Sequence, residues 1–194
     1  MDDGVITKLQ GTAVFLVGMM GAGKSTLGRH LAQRWGYGYV DTDAVIEQWT
    51  GRAIAELFAT EGELSFRQRE QQVLAQVAAC VRVVVSTGGG IVTQPLNWMY
   101  LRDGVVVWLD VPIEVLLARL RLEPPIRPLL QQPNWEEVVE DLWHRRRDRY
   151  AQADIHLPIA GTDTTETVGD RLCVLLEEQL DPARLKRAPF LQSE

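Results

Sequence analysis

The stretch "AVFLVGMMGAGKST", Ala13 to Thr26, decides how the rest of the chain is read. Its first half is a short apolar run with β-branched residues, the pattern of a strand buried on both faces. Its second half fits G-x-x-x-x-G-K-[ST], with Gly18, Gly23, Lys24 and Ser25 at the fixed positions. Glycines let successive N–H groups turn inward into a concave anion cradle. A helix opening at Lys24 adds its free N–H groups and the positive end of its dipole. The lysine can then reach β- and γ-phosphates, and the Ser25 hydroxyl can ligate Mg²⁺. The spacing predicts a phosphate site over Gly21, Ala22, Gly23, Lys24, Ser25 and Thr26. A bare glycine-rich turn is the competing reading, disfavoured by the strand before and the helix pattern after.

Outward from this point, short apolar runs alternate with longer amphipathic stretches. Strands are predicted at Ala13–Gly18, at Tyr37–Asp41, in "RVVVSTGGG", in "GVVVWLDVP" and, more weakly, in "ADIHLPI". Helices are predicted at Lys24–Trp35, Asp43–Trp49, Ala53–Thr60, Glu63–Cys80, Pro95–Leu101, Ile113–Leu122, Trp135–Tyr150 and Thr164–Leu180. This alternation implies an α/β fold with a parallel sheet covered on both faces. Ligands in such folds bind beyond the carboxyl ends of the strands. The functional stretches should therefore be Gly18–Thr26, Asp41–Asp43, Gly88–Gly90 and Asp110–Pro112.

The 194 residues fit one domain, 46% hydrophobic and 24% charged, with ample material for a core. The net charge of −6 makes nucleic acid a poor partner. An anionic ligand must be held by local cations against that field. Cys80 and Cys173 stand far apart in apolar helical contexts, as reduced core thiols do. "MDDGVITKLQG" shows no transit pattern, and no run approaches a membrane span, so a cytoplasmic location without membrane partners is expected. Proline-rich "EPPIRPLLQQPNW" reads as a loop, and the last residues, about 181–194, as a loosely packed tail.

The remaining motifs carry two readings each. "DTD" supplies Asp41 and Asp43 beyond the second strand. Asp43 stands where it would cap the next helix, yet two acids beside a phosphate site also suit a metal shell and a proton acceptor. "STGGG" places Gly88, Gly89 and Gly90 in a row, as a plain turn or as bare backbone against a ligand. Arg67 with Glu70 at i+3 has the spacing of an ordinary helix-surface ion pair. Arg127 lies in the proline-rich loop. "HRRRDRY" crowds Arg145, Arg146, Arg147 and Arg149, of which one or two facing the pocket could grip a carboxylate.

Taken in order, "GMMGAGKST", "DTD", "FRQRE", "TGGG", "RPLL" and "RRRDRY" resemble the shikimate kinase family, from Ala13 to about Leu180. "DTD", "TGGG" and "RPLL" separate it from adenylate-kinase and gluconate-kinase relatives. The resemblance implies a three-layer αβα fold with a five-stranded parallel sheet and a mobile lid at about 123–134. It implies transfer of the γ-phosphoryl group of ATP to the 3-hydroxyl of shikimate, in the route to chorismate and aromatic amino acids. By this similarity Gly21 to Thr26 wrap the nucleotide phosphates, Ser25 binds Mg²⁺ directly and Asp41 acts through its water shell. Asp43 grips the shikimate hydroxyls and is the candidate base. Arg67 and Arg146 hold the carboxylate, Gly88, Gly89 and Gly90 line the ring, and Arg127 closes from the lid onto the phosphates. Phe58 and Phe66 form an apolar floor, and Glu70 orients Arg67. The resemblance further implies action on ATP and shikimate, and a monomer is expected.

Three points depart from the family pattern or stay open. The interval between Arg119 and Arg127 is longer than the family's, which leaves Arg119 unassigned to adenine. "PIAGTDTT" can cup a base without any one side chain being assigned. Arg146 is chosen because it lies four before Tyr150, in an R-x-x-x-Y pattern, with Arg147 as the neighbouring alternative. A kinase for another small molecule and a non-catalytic kinase-like binding module are the rival readings. The second usually loses motif residues, and Lys24, Asp41, Asp43, Arg67, Arg127 and Arg146 are all present.

Overall fold

The computed structural model describes residues 2–122 and 128–185. Five strands form the sheet: β1 (Val14–Val17), β2 (Gly38–Asp41), β3 (Val83–Ser86), β4 (Val105–Asp110) and β5 (Ile155–Pro158). Their order is β2-β3-β1-β4-β5, and every pairing is parallel. All four side chains of β1 are fully buried, as expected of a central strand with helices on both faces.

The helices are α1 (Asp3–Leu9), α2 (Lys24–Trp35), α3 (Thr42–Thr50), α4 (Ile54–Val77), α5 (Asn97–Leu101), α6 (Ile113–Leu122), α7 (Trp135–Tyr150) and α8 (Thr165–Gln179). Three features differ from the sequence reading. The helices expected over 53–60 and 63–80 run together as α4, interrupted at Gly62, whose φ of 78° leaves the helical region. An arginine–glutamate lattice spans this break: Arg52 binds Glu56 and Glu61, and Arg69 binds Glu61. Helix α1 was not expected. Its Val5 and Leu9, one turn apart, are fully buried, and the preceding Asp2 pairs with Arg34. Cys80 is exposed beyond the end of α4, whereas Cys173 is buried as expected. The helical pattern around Cys80 stops at Val77, so its sulfur never reaches the core.

Of the expected lid, a 3₁₀ turn over Pro128–Gln131 is described, while Arg127 lies outside the described residues. Of the expected tail, a 3₁₀ turn spans Pro182–Arg184, and residues from 186 onward lie outside those described.

Helix α2 sits on the sheet through Gly28. A Cβ there would lie 2.7 Å from the Tyr39 ring and 2.8 Å from Ser86 Oγ. Gly28→Ala is therefore expected to destabilise by about 1–3 kcal/mol, the usual effect of forcing a carbon into a closed interface. The measurement is the urea midpoint at unchanged slope; an unshifted midpoint would show that α2 simply lifts away.

Candidate active site

The loop between β1 and α2 turns into the helix at Gly23, the N-cap, whose φ of 90° suits glycine. Lys24 is buried, and its ammonium donates to the carbonyl oxygens of Gly18 and Met19, both at 2.8 Å. The cation thus stands inside the loop that it serves. Arg119 Nη1, from α6, donates to the carbonyl of Gly21 at 3.2 Å. It therefore holds the loop's backbone while lining the cleft beside it. A cleft of about 500 Å³ opens here, lined by the loop, by Asp41 and Asp43, by Thr87 to Gly89 and by residues 163–165. Asp163, in the "PIAGTDTT" stretch, is fixed by a bidentate pair with Arg171 at 2.8 and 3.0 Å, which holds its carboxyl down at about 2.

Asp41, not Asp43, caps the helix after β2. Its Oδ1 accepts from the N–H groups of Asp43 at 3.1 Å and Ala44 at 3.4 Å. The backbone dihedrals give the reason: Asp41 stays extended (φ −112°, ψ 118°), while Asp43 is already inside α3. Capping therefore falls to Asp41, leaving Asp43 in the cleft wall. Asp41 Oδ2 accepts from Ser25 Oγ at 2.8 Å and from the Tyr39 hydroxyl at 3.2 Å. A hydroxyl and a carboxylate side by side at the mouth of a phosphate loop fit Mg²⁺, a hard cation that keeps several waters. No group of three or more His, Cys, Asp or Glu able to cage a metal occurs among the described residues. The donor set therefore suits a hydrated ion shared with phosphate oxygens.

The three glycines after β3 are the floor of the neighbouring half of the cleft, and the protein's own polar side chains stand on them. At Gly88 a Cβ would lie 2.5 Å from Glu70 Oε1 and 3.0 Å from Asp43 Oδ1. At Gly89 it would lie 3.7 Å from Arg146 Nη1, which donates to the Gly89 carbonyl at 3.2 Å. At Gly90 it would collide with the Arg67 guanidinium. The absence of side chains at 88–90 thus brings Asp43, Glu70, Arg146 and Arg67 together. The N–H of Gly88 donates to Thr42 Oγ1 at 3.1 Å, tying the start of α3 to the same floor.

The Arg67–Glu70 pair is not a surface pair. Nη1 meets Glu70 Oε2 at 2.8 Å, with Glu70 fully buried and the Arg67 side chain only 12% exposed. Glu63 holds the other edge of the guanidinium at 3.1 Å. Burial pushes the Glu70 carboxyl above its usual range, although Arg67 pulls it the other way; the nearby charge of Asp43 adds to the upward shift. Phe58 and Phe66 pack with ring centroids 4.5 Å apart, and Arg67 lies over the Phe66 ring at 5.4 Å.

Among the crowded arginines of α7, Arg146 is buried against Gly89, whereas Arg147 lies half-exposed over Trp143. Tyr150, four residues on, donates its hydroxyl to the same Gly89 carbonyl, and burial pushes its phenol up to about 12. Asp110–Pro112 does not join the cleft. Asp110 pairs instead with His156 at 2.8 Å beside a separate groove. The rule of strand ends holds for β1, β2 and β3 but not for Asp110–Pro112 beyond β4, where Trp143 of α7 donates to the Val111 carbonyl at 3.3 Å and the segment lines the separate groove. Sequence reasoning missed Thr42, Tyr39 and the loop contact of Arg119; Thr42 stands inside "DTD", where only the two acids were singled out, and the other two lie outside every motif.

A glycine-rich phosphate loop between β1 and α2 of such a parallel sheet, beside a bare-backbone floor that brings Asp43, Glu70, Arg67 and Arg146 together, defines a P-loop kinase. Comparison narrows the class. The shikimate kinase family model matches residues 20–176. The shikimate kinase of Thermosynechococcus vestitus is 55% identical over 175 residues, covering 90% of this chain and 95% of that protein. That of Synechococcus elongatus is 50% identical over 176 residues, covering 91% and 92%. A solved structure of shikimate kinase from Acinetobacter baumannii in complex with shikimate superposes with a TM-score of 0.81 at 36% identity, covering 91% of this chain and 99% of that one. The chain belongs to the shikimate kinase family, ATP-dependent phosphotransferases with an alcohol group as acceptor.

The raised Glu70 carboxyl has a measurable consequence. A carboxyl whose proton is held more tightly in the folded state stabilises that state fully below the ordinary value of 4.5, and this contribution is lost as pH rises through the higher folded value. Glu70→Gln removes this contribution. The stability of wild type relative to Glu70→Gln should fall as pH is raised from about 4.5, in parallel urea titrations; a rising difference would show that Arg67 outweighs burial.

Proposed function

We propose that the chain transfers the γ-phosphoryl group of ATP to the 3-hydroxyl of shikimate, giving shikimate 3-phosphate and ADP, on the route to chorismate. The observation that carries this reading is the meeting of two half-sites in one place. The phosphate loop and the Gly88–Gly90 floor adjoin, with the Gly89 Cβ position 3.4 Å from Met20 N and 3.5 Å from the Gly18 carbonyl.

In this reading Gly21 to Thr26 cradle the nucleotide phosphates, and Lys24 leaves the carbonyls of Gly18 and Met19 for the transferring oxygens. Ser25 and, through water, Asp41 would hold Mg²⁺, which when bound would neutralise phosphate charge. Arg67 and Arg146 clasp the carboxylate of the acceptor, two guanidinium groups on successive bare-backbone positions. Asp43 receives the proton of the acceptor hydroxyl as its oxygen attacks phosphorus, and ADP departs. Glu70 keeps Arg67 turned toward the floor. Phosphoryl transfer depends on alignment and charge neutralisation more than on a strong base. Arg127 is proposed to add its charge from the lid, and losing a comparable arginine costs about 10³-fold or more in enzymes that rely on one.

The reading also includes one catalytic unit acting as a monomer in the cytoplasm on ATP and shikimate. No helix among the described residues is long and apolar enough to cross a membrane.

The deciding assay couples ADP release to the acceptor. Saturable turnover with shikimate is expected, and turnover with gluconate or a nucleoside monophosphate but not shikimate would overturn the reading. Asp43→Asn should lower kcat by about 10²-fold or more while leaving ATP affinity near wild type. Arg67→Ala should chiefly raise KM for shikimate, by about tenfold or more, since it removes one arm of a charged clasp; an unchanged KM would make Arg67 a structural residue only.

A further inference from the structure

Asp41 is held from more directions than the phosphate loop accounts for. Its Oδ1 is committed to the start of α3, through the N–H groups of Asp43 and Ala44. Its Oδ2 accepts two hydroxyls, Ser25 at 2.8 Å and Tyr39 at 3.2 Å. Ser25 is the hydroxyl that turns to the cation in the proposed reaction. The Tyr39 hydroxyl is then the donor that stays with Oδ2.

We infer that Tyr39 is a positioning residue for phosphoryl transfer, its hydroxyl fixing the Asp41 carboxylate toward the water shell of Mg²⁺ when Ser25 ligates the ion. The inference rests on the Mg²⁺ reading of the proposed function. Tyr39 and Asp41 stand two apart on β2, so their side chains leave the same face of a strand that is paired to β3 through Val84 and Ser86. A residue held on a strand places a hydroxyl more exactly than a loop residue does.

The ring itself is fixed. It lies against α2 where Gly28 has no side chain, at 2.7 Å from the position a Cβ would take. The Arg29 guanidinium lies over it at 5.1 Å from the centroid. The helix that carries Lys24 and Ser25 is therefore docked on the same ring that holds Asp41.

The test is Tyr39→Phe, which keeps the ring and removes the hydroxyl. ADP affinity is measured by titration calorimetry with and without Mg²⁺, and the Mg²⁺ dependence of turnover is measured beside it. Metal-free ADP affinity should stay within about twofold of wild type, which also reports an intact fold and cleft. The tightening of ADP binding by Mg²⁺ should shrink about tenfold, the lower end of what an outer-shell partner contributes to metal affinity. The Mg²⁺ concentration for half-maximal rate should rise similarly, with KM for shikimate unchanged. Adding Tyr39→Phe to Asp41→Asn should change nothing further.

A wild-type response to Mg²⁺ in Tyr39→Phe overturns the inference and leaves the proposed reaction standing. Loss of metal-free ADP binding also overturns it, since the hydroxyl would then serve the whole cleft. If Mg²⁺ has no effect on ADP binding or turnover in the wild type either, the metal reading falls and the inference falls with it.

Discussion

The pairing of β1 with β3 is the constraint on which the site depends. Parallel register sets Leu16 beside Ser86, so the loops leaving the two strands emerge side by side. Thr87 locks the exit: its N–H and hydroxyl both donate to the Leu16 carbonyl, at 3.2 and 3.0 Å. One loop becomes an anion cradle and the other a bare floor. In any other strand order they would not meet, and the donor and the acceptor of a phosphoryl group would lie apart.

Electrostatics then explains the division of labour among the charges. The chain is acidic overall, yet its cleft concentrates buried cations at Lys24 and Arg146, with Arg67 nearly so. A buried guanidinium beside a fully buried carboxylate is a costly arrangement unless both are oriented. Here Glu70 and Glu63 grip Arg67 from two sides, which leaves the guanidinium in a fixed attitude over Gly90. Arg146 is fixed by backbone instead, through the Gly89 carbonyl that Tyr150 also addresses. Two cations held by different means converge on one strip of main chain.

Much of this was legible in the sequence because it is written in local rules. The glycine–lysine–serine spacing specifies a loop and the helix after it, and α2 starts at Lys24 as that spacing requires. The apolar runs specify the strands, and α6 and α7 keep the boundaries their periodicity implies. What stayed hidden depends on three-dimensional depth. An arginine and a glutamate at i and i+3 look alike on a wet helix and in a buried one, so the burial of Glu70 could not be read. Which aspartate caps α3 turns on where the backbone leaves β2, a matter of one or two residues. Tyr39 and Thr42 act through neighbours distant in sequence, at Gly28 and Gly88, and no pattern of spacing announces such contacts. Helix α1 is too short for periodicity to declare it.

The row of bare positions at 88–90 has an evolutionary side. A methyl group added at Gly88 or Gly90 meets the Glu70 carboxylate or the Arg67 guanidinium, so drift at these two codons displaces charged groups the site holds fixed, while at Gly89 the added carbon stays at ordinary contact distance. Diversification of this scaffold toward differently shaped alcohols is thereby steered away from positions 88 and 90 and toward side chains such as Phe58, half-buried against the Phe66 ring.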